Sequence, residues 1–291
     1  MSESVQSFEI GSTPALYVSG LGDFSLGRTL DCGQCFRFNE SRTHTSAFEG
    51  IAHGRFLRLS QPRPDSLVLF DVDEEEYSRV WRRYFSFDRD WSAIRTDIES
   101  RSPELKEAAA GAEGIRILRQ ESFETLVSFI ISQCNNIPRI KGLVEALSEK
   151  YGERIKGAGG KIAYAFPTPE AILARPLSEL TSLKVGYRDE YIYSACRAVC
   201  DGILDEISAA PTTAEAEKII LSMHGIGKKV AACVLLFGFG RYDAFPVDVW
   251  MKRALERLFP GVRDYSVFGP YAGVAQQYMF YCERYSRRES N

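Results

Sequence analysis

Met223-His224-Gly225-Ile226-Gly227-Lys228-Lys229-Val230-Ala231 is the stretch on which the reading of this chain turns. Helical sequence lies on both sides of Gly225-Ile226-Gly227. Two glycines two residues apart let the backbone turn tightly and approach a ligand without Cβ obstruction. The second helix begins at once, so its free N–H groups face whatever occupies the turn, an arrangement suited to a phosphate. A plain helix–helix turn would carry the same glycines. Gly225, Gly227, Lys228 and Val230 are therefore candidate phosphate-hairpin residues, and their weight depends on the chain downstream of them.

Downstream stands Phe245-Pro246-Val247-Asp248-Val249-Trp250. Pro246 fits the first turn of a helix, and Asp248 then falls near that helix's N-terminus, where a carboxylate is favoured. Asp248 lies nineteen residues after Lys229. Taken singly, one is an ordinary helix-start carboxylate and the other a surface lysine. Cys233, four residues after Lys229, shares its helix face, which also suits a small core residue.

Across the whole chain, the 291 residues are 45% hydrophobic and 26% charged, as in a folded soluble protein. The length admits two domains and needs no disulfide staples. The net charge is −3, but residues 1–115 hold 13 basic and 19 acidic side chains, a net of −6. Residues 116–291 hold 23 and 20, a net of +3, which leaves room for a local phosphate-binding surface. Seven cysteines without dense spacing, and a start lacking a secretory-signal pattern, lead us to expect reduced thiols. No apolar run approaches the ~18 residues of a membrane span. Disorder, collagen, membrane spans and disulfide scaffolds are disfavoured together.

The first hundred residues read mostly as strand, with short β runs at Phe56–Leu59 and Leu67–Val72 separated by Gln61-Pro62-Arg63-Pro64-Asp65. Helical stretches follow near 74–85 and 91–99. Ala108-Ala109-Ala110-Gly111-Ala112-Glu113-Gly114 reads as a boundary. Beyond it Ile140, Leu143, Val144 and Leu147 mark an amphipathic helix that Asn135 or Asn136 can cap, with Pro138 in its first turn. Pro167-Thr168-Pro169-Glu170 opens another helix, and 188–205, 213–223, 228–239, 247–259 and 267–285 complete the set. The expected organisation is an α+β domain over residues 1–114 and a helical domain over 115–291, with the hairpin near 213–239.

The hairpin with its following lysine and aspartate resembles the helix-hairpin-helix DNA glycosylase superfamily. Further motifs resemble 8-oxoguanine DNA glycosylases within it: Cys32-Gly33-Gln34-Cys35-Phe36-Arg37-Phe38, Leu118-Arg119-Gln120, Asn135-Asn136-Ile137-Pro138-Arg139-Ile140, Val185-Gly186-Tyr187-Arg188 and Gly269-Pro270-Tyr271-Ala272-Gly273-Val274-Ala275-Gln276. They recur in the family's order over roughly residues 14–285. The resemblance implies an antiparallel, TATA-binding-protein-like N-terminal sheet followed by an all-α domain. It also implies a bifunctional enzyme that removes 8-oxoguanine opposite cytosine and nicks the abasic strand by β-elimination. Its partner would be double-stranded DNA containing the lesion, with no cofactor and no membrane; a monomer is expected.

The chemistry explains the residue types. Breaking an N-glycosidic bond builds positive charge on the sugar, which a carboxylate stabilises; the resemblance gives this role to Asp248. A neutral lysine amine can capture C1′ and form an imine, and the Lys-Val-Ala context selects Lys229. Lys228, about 100° around the helix, is left for phosphate or solvent. The resemblance further places Cys233 and Phe280 on either side of a flipped base. Gln276 would read its Watson–Crick edge, Pro246 would line the pocket, and the Gly33 carbonyl would accept from the N7–H that 8-oxoguanine has and guanine lacks. Tyr187 would be the wedge in the base stack, Arg188 and Arg139 would read the orphaned cytosine, and Asn135 and position 134 would border the gap.

This chain departs from the pattern at three places. Cys134 stands where the family usually has Asn, Trp250 where some relatives have His, and His224 where the hairpin usually has Pro, which would loosen the turn slightly. Cys32-x-x-Cys35 lacks a second pair or a His cluster, so no metal site is expected. Only Cys282 follows Cys233, which excludes the C-terminal four-cysteine iron–sulfur cluster of related glycosylases. Two other readings compete: a glycosylase for alkylated bases, which would lack the lysine, and a non-catalytic DNA-binding module. No basic run resembles a nuclear-import signal, which points to the cytoplasm, nucleoid-associated if the source is prokaryotic, with a nuclear location left open.

Overall fold

The computed structural model describes residues 3–42 and 44–285, so the outermost ends of the two expected domains, residues 1–2 and 286–291, lie outside the described residues. Six antiparallel strands form one sheet in the order β1-β2-β6-β5-β4-β3, with β1 Ser4–Ile10, β2 Thr13–Ser19, β3 Phe38–Glu40, β4 Ala47–Ala52, β5 Arg55–Ser60 and β6 Ser66–Phe70. The period-two pattern decides which face is inside. β5 sends Leu57 and Leu59 into a core shared with Leu16, Leu69 and Trp81 and turns Arg58 outward. β4 and β5 meet at His53-Gly54, both with positive φ (51° and 65°), the geometry that matches strand twist in a two-residue hairpin.

Between β2 and β3 the chain leaves the sheet. This excursion carries Cys32 and Phe36 into the helical core, while Cys35 between them stays in the core of the sheet. The longer helices are α1 Trp91–Glu99, α2 Pro103–Gly111, α3 Ser122–Ser132, α4 Ile137–Tyr151, α5 Arg188–Cys200, α6 Thr213–Leu221, α7 Lys228–Gly238, α8 Val249–Leu258 and α9 Ala272–Tyr285. None among the described residues is long and apolar enough to cross a membrane. The α4 cap is Asn136, whose Oδ1 accepts the Arg139 N–H at 3.0 Å.

Several expectations need correction. The small-residue stretch at 108–114, read as a boundary, is packed into the helical half. Ala108 and Ala109 end α2, and with Ala112, Trp91, Ile94 and Ile98 they are buried in the helical core, so the division between the two cores does not fall at residue 114. The helix expected over 188–205 is broken at Gly202, whose φ of 94° is left-handed, and a second short helix runs Ile203–Ala209. The helix expected over 267–285 starts only at Ala272, because Gly269 (φ 78°) and Pro270 end a preceding 3-10 turn. Pro246 precedes α8 rather than opening it, and the helix begins at Val249 with Asp248 as its N-cap.

Polar contacts fasten the sheet to the helices. Gln34 is fully buried; its Nε2 donates to the carbonyls of Thr29 (2.9 Å) and Arg116 (2.7 Å), and its Oε1 accepts the Leu118 N–H at 2.9 Å. Arg37 donates to both carboxylate oxygens of Glu145 (2.9 and 3.2 Å) and to the Tyr164 carbonyl (2.7 Å). Such buried amide and guanidinium contacts specify one geometry, since each broken bond would strand a buried partner.

Candidate active site

Helices α3 and α7 lie antiparallel at the centre of the helical half. At one end the Ser122 hydroxyl donates to the Gly238 carbonyl (2.9 Å); at the other the Lys229 Nζ donates to Ser132 Oγ (3.1 Å). The Lys229 ammonium also lies 5.0 Å above the Phe129 ring and within reach of the Cys233 sulfur. Among the described residues it has no carboxylate partner within 4.0 Å, so no ion pair ties down the nitrogen. Lys229 is half-buried and Lys228 exposed, as their different helix faces require.

Asp248 caps α8, its Oδ1 accepting the Met251 N–H at 2.8 Å, which fixes one oxygen and orients the carboxylate. It lines one narrow cavity of about 50 Å³ together with Lys229, Cys233, Gly33, Pro246, Gln276 and Phe280. Burial pushes the Cys233 thiol up to about 11, which makes it an uncharged, polarisable wall. Gln276 is 3% exposed and its Oε1 is buried without a hydrogen-bond partner, an open acceptor on the cavity wall.

Gly33 adopts φ 80°, and a Cβ there would sit 3.5 Å from Ile137 and 3.8 Å from Phe280. Its carbonyl has no hydrogen-bond partner among the described residues, whereas both flanking carbonyls are held. The Gln277 Nε2 donates to the Cys32 carbonyl at 2.8 Å, and the Gln120 Nε2 donates to the Gln34 carbonyl at 2.7 Å. The loop is thus held on both sides of one free acceptor. Cys32 and Cys35 are core thiols; burial pushes Cys32 up to about 12, and its Sγ donates to the Thr29 carbonyl.

The hairpin joins α6 to α7 and its two glycines do different work. Gly225 has φ 79°, and a Cβ there would fall 2.2 Å from the Tyr191 ring, so both conformation and space demand glycine. Gly227 has ordinary dihedrals and nothing within 4 Å of a Cβ position, so neither conformation nor packing demands glycine there. His224, in place of the usual proline, packs edge-on against Tyr191 at 5.0 Å, and Tyr191 packs on Tyr187 at 5.6 Å. A ladder of rings therefore braces the turn and links it to the exposed Tyr187.

Cys134 is exposed, with a left-handed φ of 47°, and its thiol is within hydrogen-bond reach of the Tyr187 hydroxyl. Asn135 spends its amide locally, donating to the Ile131 carbonyl and accepting the Asn136 N–H. Arg139 is exposed and donates to the Lys184 carbonyl at 3.2 Å. Arg188 is 6% exposed and folded back on the carbonyls of Gln133 and Val185, under the Tyr187 ring. Its guanidinium would have to unfold to meet a base. Trp250 packs against the Arg253 guanidinium at 5.3 Å.

Sequence reasoning passed over Ser132, Phe129, Phe237 and Gln277, which also build the site. Spacing could have found Gln277, next to Gln276 on α9. Ser132 carries no signal, because its contact with Lys229 spans 97 positions.

Gly225→Ala should lower stability by about 2 kcal/mol or more, from the left-handed strain and the Tyr191 overlap. Gly227→Ala should leave stability within about 0.5 kcal/mol. Denaturant midpoints of the two variants check this, and equal losses would contradict the division of labour.

Residues 17–126 match the family described as 8-oxoguanine DNA glycosylase, N-terminal domain, and residues 127–264 match the HhH-GPD superfamily base excision DNA repair protein. A solved structure of MBOgg1 in complex with a low affinity DNA ligand is 36% identical with a TM-score of 0.87, covering 99% of this chain and 100% of that one. The Clostridium acetobutylicum 8-oxoguanine glycosylase/lyase, solved with double-stranded DNA containing cytosine opposite 8-oxoG, is 33% identical with a TM-score of 0.87 and 99% coverage of both chains. The N-glycosylase/DNA lyase of Saccharomyces cerevisiae is 35% identical over 162 residues, 52% of this chain but only 43% of the yeast protein. The chain belongs to the 8-oxoguanine DNA glycosylase family.

Proposed function

We propose that the protein removes 8-oxoguanine from duplex DNA, preferably opposite cytosine, and then cleaves the abasic strand through an imine on Lys229. The observation that carries this reading is the convergence of Lys229 and Asp248 on one cavity with Cys233, Phe280, Gln276 and the unpaired Gly33 carbonyl. A flipped base would lie between the Cys233 sulfur and the Phe280 ring. Gln276 would meet its Watson–Crick edge with the acceptor that now lacks a partner.

The Lys229 Nζ would attack C1′ as the bond to the base breaks. The base would leave with the bonding electrons and take up a proton. The Asp248 carboxylate would stabilise the positive charge that builds on the sugar. The opened sugar and the amine would form an imine, loss of a 2′ proton would expel the 3′ phosphate, and water would release Lys229. Guanine would present its N7 lone pair to the Gly33 carbonyl where 8-oxoguanine presents N7–H. Such a mismatch in a dry pocket costs ~1–3 kcal/mol. The hairpin N–H groups at the start of α7 and the space outside Gly227 suit a phosphate of the lesion strand.

Borohydride should trap the protein covalently on a duplex containing 8-oxoguanine. Lys229→Gln should abolish trapping and nicking while Lys228→Gln retains both. Full trapping by Lys229→Gln would overturn the assignment.

Cys134→Asn should act twice. Asn tolerates the left-handed region far better than Cys, so stability should rise, by up to about 1 kcal/mol. Asn beside Tyr187 also offers two donors and a carbonyl to bases around the gap, so preference for cytosine over adenine opposite the lesion should grow several-fold, at ~0.5–1.5 kcal/mol per bond. Denaturant midpoints and single-turnover excision from both duplexes read the two effects. A lowered midpoint with an unchanged ratio would contradict this reading of position 134.

A further inference from the structure

At the ends of α3 and α7 remote from Lys229 lies a separate cleft of about 620 Å³. The β4–β5 turn, the helical segment near residue 80, the strand-like link into α3 and the Gly238–Gly240 turn meet there, at the junction of the two halves. Five arginines line it, Arg55, Arg79, Arg83, Arg89 and Arg119, with His53 between them and Glu121 as the one carboxylate in its wall among the described residues. Arg119 is paired with Asp88 at 3.0 Å, and Arg55 approaches Glu76 at 3.8 Å. Arg79, Arg83 and Arg89 are exposed and have no carboxylate partner among the described residues.

This concentration runs against the composition around it. Four of the five arginines belong to residues 1–115, a stretch with a net charge of −6. Like charges gathered in a cleft of an otherwise acidic segment raise its energy unless an anion is drawn there. The five guanidiniums offer a forked donor geometry that suits phosphate oxygens. The cleft does not belong to the lesion face. Antiparallel α3 and α7 have 11 residues each and separate it from the Ser132–Lys229 contact by about 15 Å along their axes.

We propose that this cleft binds the phosphate backbone of a second DNA segment while the opposite ends of the same helices hold the lesion duplex. The choice of DNA over an acidic polypeptide rests on the family's work on DNA and on the five guanidiniums in the wall. A second hold would keep the chain on neighbouring DNA while the lesion face lets go.

Native mass spectrometry of the full chain with a lesion-free duplex of about one helical turn tests this. The unaltered protein should take up two duplexes at low salt. Arg79→Gln/Arg83→Gln should take up one, with second-site affinity about tenfold weaker. Its salt dependence should be shallower by about two in the log–log slope. Excision from a short 8-oxoguanine duplex should be unchanged in this variant, which also shows that it folds; Arg89→Gln, on a different segment, should weaken the same site. Lys228→Gln/Arg139→Gln should retain the cleft-bound duplex and lose the other. Uptake of one duplex by the unaltered protein, or of two by the arginine variant, would overturn the proposal, as would equal affinity for poly-glutamate. Failure of excision with two duplexes still bound would count against the proposed activity and leave the cleft standing.

Discussion

One loop, residues 31–36, joins everything that matters in this molecule. It leaves the sheet after β2, enters the helical core through Cys32 and Phe36, and returns to β3. Its geometry is held by amides. Gln34 bridges Thr29, Arg116 and Leu118 from a fully buried position, while Gln277 and Gln120 hold the carbonyls on either side of Gly33. Buried amides bonded at this density tolerate little displacement, because each lost bond leaves a desolvated partner. Between those two held carbonyls, that of Gly33 has no hydrogen-bond partner among the described residues. Sheet, link and C-terminal helix thus converge on the placement of one oxygen.

The catalytic candidates are placed by the same economy of rigid ends. Lys229 stands one residue inside α7, Asp248 caps α8, and Gln276 and Phe280 share a face of α9. Helix ends give the carboxylate a fixed hydrogen bond and leave the N–H groups of α7 turned outward. The amine keeps company with a hydroxyl, an aromatic face and a thiol rather than with a carboxylate. Such a setting suits the proposed imine chemistry, since no salt bridge among the described residues has to be broken before attack.

Local rules made much of this readable. The glycine hairpin, the Lys229–Asp248 spacing and the alternation in β5 each follow from a few neighbouring residues, and each lies in the structure where the chain order requires. Local rules also set the limits. Pro246 looked like a helix opener because proline favours the first turn, but Asp248 supplies the stronger cap, and the proline became cavity wall. Ala108 to Gly114 read as a boundary because small residues pack with little signal, yet their smallness is what lets α2 approach α9, where Gly111 faces Cys282. Gly225 and Gly227 look alike in sequence, and only the Tyr191 ring, 34 positions away, separates their roles. The Gln277 contact spans 245 positions and the Gln120 contact 86, beyond any periodicity. Arg188 was expected to read the orphaned cytosine, whereas its guanidinium is folded against backbone carbonyls, a conformational choice no composition encodes.

If the amide clamps on the loop set the choice of base through the Gly33 carbonyl, removing one clamp must blur that choice. Gln277→Met keeps the volume and removes the donor to Cys32. Single-turnover excision of 8-oxoguanine and of guanine from otherwise identical duplexes measures the consequence. A loosened carbonyl should lower the 8-oxoguanine rate and narrow its ratio to the guanine rate by roughly tenfold, the ~1.4 kcal/mol expected for one misplaced hydrogen bond. Trapping through Lys229 should survive on an abasic duplex. An unchanged ratio in a folded variant would contradict the dependence of base choice on the clamps.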